Sequence, residues 1–149
     1  MKLVIQRVHS ASVSVDGKIT GRISAGMMIL VGVAETDTMD DVEFAANKSA
    51  NLRIFEDDEG KMNRSLLEIG GAILAISQFT LLGDTRKGRR PSFINAANPE
   101  KGNEFYEKFV GNLKDMGIRV ETGIFGAMMD VQLINTGPVT IIIDTEERR

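Results

Sequence analysis

Hydrophobic and polar residues alternate along the first part of the chain as they do in β-strands. Residues 3–15 are rich in Val and Ile with polar residues interleaved, which predicts strand structure. Asp16-Gly17 is a strong turn signal, so residues 18–23 are predicted to return as the second arm of a hairpin. Residues 27–33 form a short, continuously apolar run, as expected of a strand that is buried on both faces.

Two segments show helical spacing instead. The first begins at Thr38, where Thr38 to Asp41 form a capping-box pattern with Asp in place of the usual Glu. One face of this predicted helix is apolar or small, at Val42, Ala45, Ala46, Ser49 and Leu52. The second helix is predicted to start at Asn98-Pro99 and to stop at Gly117. Its predicted buried stripe consists of Phe105, Phe109, Leu113 and Met116.

The remaining apolar runs predict strands over residues 72–82, 118–122, 128–135 and 139–144. Strands dominate, and the two helices lie between groups of strands and do not alternate with them regularly. This pattern predicts an α+β fold with curled, barrel-like β-sheets and two main helices packed outside. With 149 residues and no linker or repeat, the chain is predicted to form a single domain over residues 1–149.

Composition narrows the classes of function. The chain contains no cysteine, which excludes disulfides, thiolate catalysis and cysteine-ligated zinc. No apolar run reaches the roughly 18 residues needed to span a bilayer. Polar groups also interrupt the N-terminal residues too early for a signal peptide. We therefore expect a cytoplasmic protein without a membrane partner.

Charge does not decide whether the protein meets a nucleic acid. The net charge of -3 argues against a general nucleic-acid coat protein, which is normally basic. A protein that meets only one end of an RNA needs no more than a local basic patch. Such a patch is present at Arg86, Lys87, Arg89 and Arg90, although charge runs of this kind are usually solvated loops.

Several common catalytic arrangements are not supported by the sequence. His9 is the only histidine, so a Ser-His-Asp triad would have to use it, and a lone histidine is more often structural or solvated. The acidic residues 56–59 lack the ligand spacing of a calcium loop and are more typical of a solvated turn. The chain has no glycine-rich phosphate-binding motif. We expect neither a metal site nor a cofactor.

Two segments remain as candidates for chemistry. The first follows the apolar strand at residues 73–76 and contains Ser77, Gln78, Phe79 and Thr80. Backbone N–H groups freed where a strand ends can stabilise an oxyanion, although a strand that turns polar as it surfaces would look the same. The second contains Gly137-Pro138, between two strand-like runs. A Gly-Pro corner presents fixed carbonyl oxygens, although most such pairs are plain turns.

Together these segments resemble the D-aminoacyl-tRNA deacylases of bacteria and eukaryotes. The resemblance runs from end to end, through residues 6–8 with 11–13, 30–33, 77–81 and 135–140. Each motif is short, but all of them in this order over a chain of this length form a specific pattern.

The resemblance implies a function and a set of residue roles. Members of the family are homodimers in which the Gly-Pro corner, with its peptide bond in cis, reaches into the partner's active site. Gly137 and Pro138 would then hold the amino group of a D-aminoacyl ester through main-chain carbonyls and leave no room for an L side chain. Arg7 matches the arginine that braces this corner. Since steric exclusion cannot reject glycine, glycyl-tRNA is also an expected substrate.

The ester chemistry is our own hypothesis, built on that resemblance. Backbone N–H groups around Phe79 and Thr80 would hold the oxyanion, while Ser77, Gln78 and Thr80 orient the terminal adenosine and the ester. Thr80 as a covalent nucleophile is the competing hypothesis. Two other functions stay open at this point. One is an editor of L-alanyl- or glycyl-tRNA, and the other is a non-catalytic module that binds an RNA end.

Overall fold

The long first strand organises the sheet. The computed structural model describes residues 1–148, and in it β1 (Lys2–Val15) pairs antiparallel with strands on both of its edges. On one edge it pairs with β3 (Gly26–Gly32) and then with β2 (Lys18–Ile23). On the other edge it pairs with β8 (Asp130–Asp144) from Lys2 to Ser14. Because β1 is shared, β8 is held in register with the rest of the sheet.

The sheet then curls towards closure. β3 pairs in parallel with β6 (Ala72–Ser77), and β6 pairs in parallel with β7 (Val120–Thr122). The outer strands β2 and β7 approach each other, since a Cβ atom on Gly21 would lie 2.8 Å from the carbonyl oxygen of Thr122. Glycine is therefore needed at that position. The nearly closed, barrel-like sheet of a single α+β domain confirms the predicted fold class.

Within residues 1–148, three helices pack around the sheet. They are α1 (Met39–Asn51), the short α2 (Leu66–Ile69) and α3 (Pro99–Asp115). Both predicted helix starts are confirmed, because the Asp41 carboxylate accepts the Thr38 N–H at 2.8 Å and the Asn98 side chain accepts the Lys101 N–H at 2.9 Å. The predicted apolar faces are buried except at their last residues, Leu52 and Met116, which are half-buried. No helix within residues 1–148 has both the length and the apolar character needed to cross a membrane.

The core lies on both faces of the central strands. Alternate residues of β3 and β6 enter two different apolar clusters: Ile29 and Ile73 face α1 and α3, whereas Met28 and Leu74 face the other cluster. The prediction that residues 27–33 are buried on both faces is confirmed. A strand with no solvated face cannot slip in register without burying polar groups, so the position at which β6 ends is well determined.

Four predicted strands have different bounds in the structure. The strand predicted over residues 72–82 stops at Ser77, and Phe79–Leu82 forms a 3-10 helix. β7 pairs with β6 only as far as Ala75, and β3 ends one residue beyond Val31, the partner of Ser77. Backbone hydrogen bonding beyond residue 78 is therefore local. The runs at 128–135 and 139–144 form one strand, β8, with the Gly-Pro corner inside it. The strand predicted over 118–122 is shortened to β7.

The acidic residues 56–59 form a turn, as the sequence suggested. They connect β4 (Phe55–Glu56) to β5 (Met62–Arg64) in a small separate hairpin. The Asp57 carboxylate accepts hydrogen bonds from the Asn63 side chain and from the N–H groups of Glu59 and Lys61, at 2.8 to 3.0 Å. These bonds hold the pKa of Asp57 below its usual value. The carboxylate therefore stabilises the turn.

Asp41 generates a prediction on stability. Burial raises the pKa of this carboxyl, but hydrogen bonds from Thr38 and Arg148 outweigh burial and hold the pKa far below its usual range. A folded-state pKa below the unfolded value of about 3.9 stabilises the protein above that pH, and the contribution is lost as the pH falls towards the folded-state pKa. Asp41→Asn should lower the free energy of unfolding at pH 7 by about 1–3 kcal/mol. This decrease in the free energy of unfolding is measured by urea unfolding at constant protein concentration.

The pH dependence provides the control. The Asp41→Asn protein should lose less stability than the wild type between pH 5 and pH 2, because the titrating group is gone. Asp40→Asn removes an exposed carboxylate from the same turn. Its free energy of unfolding should depend on pH as that of the wild type does. Parallel profiles for Asp41→Asn and the wild type would contradict the role assigned to Asp41.

Candidate active site

The carboxyl end of β6 places the first candidate segment at the edge of the sheet. Ser77 is the last residue of β6 and pairs with Val31 of β3. The N–H of Gln78 donates to the carbonyl of Val31 at 2.7 Å, so the backbone is anchored through residue 78. Beyond that point the chain turns into the 3-10 helix, and Phe79 and Thr80 are exposed. A rigid strand therefore fixes the residues that precede the exposed turn.

The start of the 3-10 helix presents two backbone donors. Its first hydrogen bond runs from the Leu81 N–H to the Gln78 carbonyl at 3.3 Å. The N–H groups of Phe79 and Thr80 precede that bond, and N–H groups in the first turn of a helix have no partner within it. The side chains are also linked, since Gln78 Nε2 donates to Thr80 Oγ1 at 3.1 Å. The arrangement suits stabilisation of a negative oxygen by main-chain donors.

A cavity of about 530 Å³ lies beside this segment. All four candidate residues from Ser77 to Thr80 contribute to its lining. The rest of the lining is mostly apolar, with aromatic rings from Phe79, Phe93, Tyr106 and Phe125. A cavity of this size with a few polar groups at one end can take a small molecule or a single nucleoside.

Tyr106 fixes the position of the cavity wall. Its hydroxyl donates to the carbonyl of Ala75 in β6 at 2.7 Å, which ties α3 to the strand that carries Ser77. Burial raises the pKa of Tyr106, so the phenol stays protonated as a donor at neutral pH. Nearby, the rings of Phe79 and Phe93 meet edge to face with centroids 5.1 Å apart.

Sequence reasoning missed the aromatic lining residues Phe93, Tyr106 and Phe125. Tyr106 had a usable signal, because a Tyr beside the predicted buried position Phe105 needs a partner for its hydroxyl. Phe93 and Phe125 lie outside the regular elements and carried no periodic signal.

The second candidate segment lies within β8 and bulges out of its pairing with β1. Asn135 pairs with Val8 and Thr140 pairs with Gln6, so residues 136–139 leave the ladder opposite Arg7. We call residues 136–139 the Gly-Pro loop. The Gly137–Pro138 peptide bond is cis, and both residues are exposed.

The buried guanidinium of Arg7 forms hydrogen bonds that hold the Gly-Pro loop. Arg7 is 8% exposed; its Nε donates to the carbonyl of Thr136 at 3.0 Å and its Nη1 to the carbonyl of Ile54 at 2.8 Å. The loop is thereby connected to the segment that follows α1. A Cβ atom on Gly137 would lie 2.8 Å from Arg7 Nη2 and 2.9 Å from Val139, so the support leaves room only for glycine.

The structure brings the predicted residues together in two separate groups. Ser77 to Thr80 form one group at the cavity, and Arg7 forms the other with the Gly-Pro loop. Neither Arg7 nor any residue of the Gly-Pro loop is among the described residues that line the cavity of its own chain. A site that uses both groups would need a second chain.

The basic residues lie on a loop that directly follows the 3-10 helix. Backbone hydrogen bonds between Asp84 and Ser92, at 2.7 and 2.9 Å, close the base of this loop. Arg86 binds the Asp84 carboxylate through Nε and Nη2 and lowers the pKa of Asp84 to about 2. The other three cations, Lys87, Arg89 and Arg90, are exposed. Arg86 therefore has an internal partner that partly neutralises its charge.

His9 lies away from the cavity. It is exposed on β1, where the pairing with β8 shifts register, and it does not line the cavity. In the part of the chain that the structure describes, no three acidic or histidine side chains come together as a metal site would need.

The chain is similar in sequence to proteins named as tRNA deacylases. The family model described as D-Tyr-tRNA(Tyr) deacylase matches residues 4–144. Proteins named D-aminoacyl-tRNA deacylase from Bacillus velezensis and Bacillus pumilus are 57% and 60% identical over 147 residues, which is 99% of this chain and 100% of each relative. A solved structure described as c-Myc DNA Unwinding Element Binding Protein superposes with a TM-score of 0.91 at 39% identity. It covers 97% of this chain and 98% of its own.

The contacts of Arg7 generate a prediction. Arg7→Met keeps the length of the side chain but leaves the carbonyls of Thr136 and Ile54 without their charged donor. We expect the free energy of unfolding to fall by about 1–3 kcal/mol. Arg53→Met is the matched control, because Arg53 also donates to a backbone carbonyl, that of Asn63, but is exposed. If urea unfolding shows equal decreases in the free energy of unfolding for the two variants, the burial of the Arg7 contacts adds no stability.

Proposed function

The chain belongs to the D-aminoacyl-tRNA deacylase family, and on that premise we propose that it hydrolyses the ester bond of D-aminoacyl-tRNA. The products are a free D-amino acid and tRNA, so the enzyme removes D-amino acids from mischarged tRNA before they reach translation. Aminoacyl-tRNA circulates with the translation machinery, and the proposed location is the cytoplasm.

One observation carries the proposal: two main-chain donors lie beside a cavity that fits one nucleoside. Unpaired nucleobases stack on aromatic side chains, and the cavity is lined by Phe79, Phe93, Tyr106 and Phe125. With the terminal adenosine in the cavity, Ser77 and Gln78 orient the ribose. The aminoacyl ester then lies at the exposed turn, beside the N–H groups of Phe79 and Thr80.

The proposed reaction is a direct attack by water. Water adds to the ester carbonyl, and the N–H groups of Phe79 and Thr80 stabilise the oxyanion. The bond between the carbonyl carbon and the ribose oxygen then breaks, and the ribose oxygen takes up a proton. The neighbouring 2′-hydroxyl of the substrate assists as an oriented group. Thr80 positions the ester and does not attack it, because its hydroxyl accepts from the Gln78 amide, which is not a base.

Stereoselection is assigned to the Gly-Pro loop of a second subunit. The loop is exposed and separate from the cavity of its own chain, and β8 also exposes Ile134 and Ile142, which are 58% and 71% accessible. A homodimer formed through this strand would cover the two isoleucines and bring the loop of one subunit to the cavity of the other. The carbonyls of Gly137 and Pro138 then hold the substrate's amino group and exclude an L side chain.

The basic loop is proposed to hold the acceptor stem. Lys87, Arg89 and Arg90 are exposed a few residues beyond the Phe79–Leu82 turn, where phosphates next to a bound terminal adenosine would pass. Arg86 contributes less, because it is bound to Asp84.

A comparison of substrates tests the proposed function. The wild-type protein should release D-tyrosine from D-Tyr-tRNA and glycine from glycyl-tRNA, because steric exclusion has no means of rejecting glycine. L-Ala-tRNA and L-Tyr-tRNA should stay intact. The measurement is the loss of labelled amino acid from each charged tRNA. Rapid cleavage of L-Ala-tRNA would indicate an L-alanyl editor, and cleavage of none would indicate a module that only binds an RNA end.

Thr80→Ala tests whether the hydroxyl positions or attacks. If it positions, kcat/KM for D-Tyr-tRNA should fall about fivefold, the equivalent of one hydrogen bond of about 1 kcal/mol. Thr85→Ala, which removes an exposed hydroxyl from the adjacent loop, should leave the value unchanged. Mass spectrometric detection of an acyl group on Thr80, or complete loss of activity, would contradict the positioning role.

The salt dependence of tRNA binding tests the basic loop. Replacing Lys87, Arg89 and Arg90 together by Gln should weaken binding and flatten the slope of log K against log salt by about 3, if each contacts one phosphate. Arg86→Gln should change the slope less. A triple variant with the wild-type slope would remove the loop from the tRNA interface.

A further inference from the structure

The base of the Gly-Pro loop contains a second set of contacts, distinct from those of Arg7. Asn135 is the last residue before the loop and Thr140 the first after it, and both still pair with β1. Backbone groups of the loop have left the ladder, so those that are not exposed need other partners. Val139 is half-buried at the end of the loop, and its N–H is such a group.

The side chain of Asn135 spans this base. Its Oδ1 accepts the N–H of Val139 at 2.9 Å, and its Nδ2 donates to Thr140 Oγ1 at 3.2 Å. The orientation of the amide is determined, because a backbone N–H can bond only to the oxygen. The Thr140 hydroxyl also accepts from Gln6 Nε2 at 3.3 Å, which connects the base of the loop to β1.

The two ends of the Gly-Pro loop are thus held from different sides. Arg7 holds the carbonyl of the first residue, Thr136, and Asn135 holds the N–H of the last residue, Val139. Gly137 and Pro138 lie between these contacts. The direction of their carbonyl groups depends on both ends, since a loop that is held at one end only can change its orientation at the other.

We propose that Asn135 is a positioning residue for stereoselection, because its side-chain amide closes the base of the Gly-Pro loop. The inference rests on the proposed function, in which the loop's carbonyls hold the substrate's amino group. Asn135 does not touch the substrate in this account and acts only through the loop. The stereoselectivity of the enzyme therefore depends on the Asn135 side chain as well as on Arg7.

The chemistry of the side chain defines the variants. Asn135→Leu has a similar shape and removes both hydrogen bonds. Asn135→Asp keeps an acceptor for the Val139 N–H, and the Thr140 hydroxyl can rotate to donate to it. Asn51→Leu is the matched control. The Asn51 side-chain amide also bonds a main-chain group of its own element, but it does so as a donor to the carbonyl of Asn47 on the exposed surface of α1.

Hydrogen exchange tests the contact without any substrate. In NMR spectra of the full-length protein, the Val139 amide should exchange about fivefold faster in Asn135→Leu than in the wild type, the equivalent of one hydrogen bond of this kind. Asn135→Asp and Asn51→Leu should keep the wild-type rate. An unchanged rate in Asn135→Leu would overturn the inference, whatever the enzyme's activity.

Kinetics test the consequence for selectivity. The ratio of kcat/KM for D-Tyr-tRNA to that for L-Tyr-tRNA should fall on the order of tenfold in Asn135→Leu, because a small misplacement of a positioning group lowers the rate steeply. Asn135→Asp should restore the ratio, and Asn51→Leu should retain it. A loss of folding alone would lower both rates together and leave the ratio unchanged.

The outcomes separate the inference from the proposed function. Faster exchange at Val139 with an unchanged D-to-L ratio would overturn the positioning role while the proposed function stands. A wild-type enzyme that cleaves D-Tyr-tRNA and L-Tyr-tRNA equally would overturn the proposed function and the selectivity role with it. That result is read from the wild type alone.

Discussion

The position of the Gly-Pro loop depends on the hydrogen bonds of the Arg7 guanidinium. The guanidinium is a buried charge whose described partners are the main-chain carbonyls of Thr136 and Ile54. A buried charge is costly unless its donors are satisfied, so the two carbonyls are held where the guanidinium requires them. Arg7 lies in the middle of β1, which is itself fixed by three neighbouring strands. The rigidity of the sheet is thereby transmitted to a loop that has left it.

The division of the site follows from the same geometry. β6 ends at the cavity and β8 carries the Gly-Pro loop, and the two are separated in the sheet by β3 and β1. One chain therefore builds a cavity with main-chain donors and, elsewhere, a rigid loop with exposed carbonyl groups. In the proposed dimer each surface completes the other. Recognition by main-chain atoms suits an enzyme that must accept many side chains of one handedness, since no side chain of the protein has to match them.

The hydrophobic pattern was sufficient to predict the architecture. Alternation in β1, the double burial of β3 and the caps at Thr38 and Asn98 are local signals, and local physics decides them. The turn after Ser77 was predicted as strand, because its apolar residues Leu81 and Leu82 continue the run. Where β6 ends depends on the lengths of β3 and β7, and a pattern within one segment carries no information on its neighbours.

The candidate site was predicted less completely. The sequence singled out the residues from Ser77 to Thr80 and the Gly-Pro pair as candidates, and the role of the pair in selecting handedness came from family resemblance. The aromatic lining at Phe93 and Phe125 depends on tertiary contacts between loops, which have no periodicity. The pairing of Arg86 with Asp84 and the contacts of Asn135 likewise appear only once the backbone has folded.

A mixed-dimer experiment tests the central claim that each active site is completed by the other subunit. Phe79→Pro removes one of the two N–H donors, and Gly137→Ala introduces a Cβ atom against Arg7 in the Gly-Pro loop. Each homodimer should be inactive towards D-Tyr-tRNA.

After the two are mixed and exchange subunits, half of the dimers are mixed and one of their two sites is intact. The activity should therefore recover to about one quarter of the wild-type value. If mass spectrometry shows mixed dimers and the activity does not recover, each chain builds its site alone, and the account is contradicted.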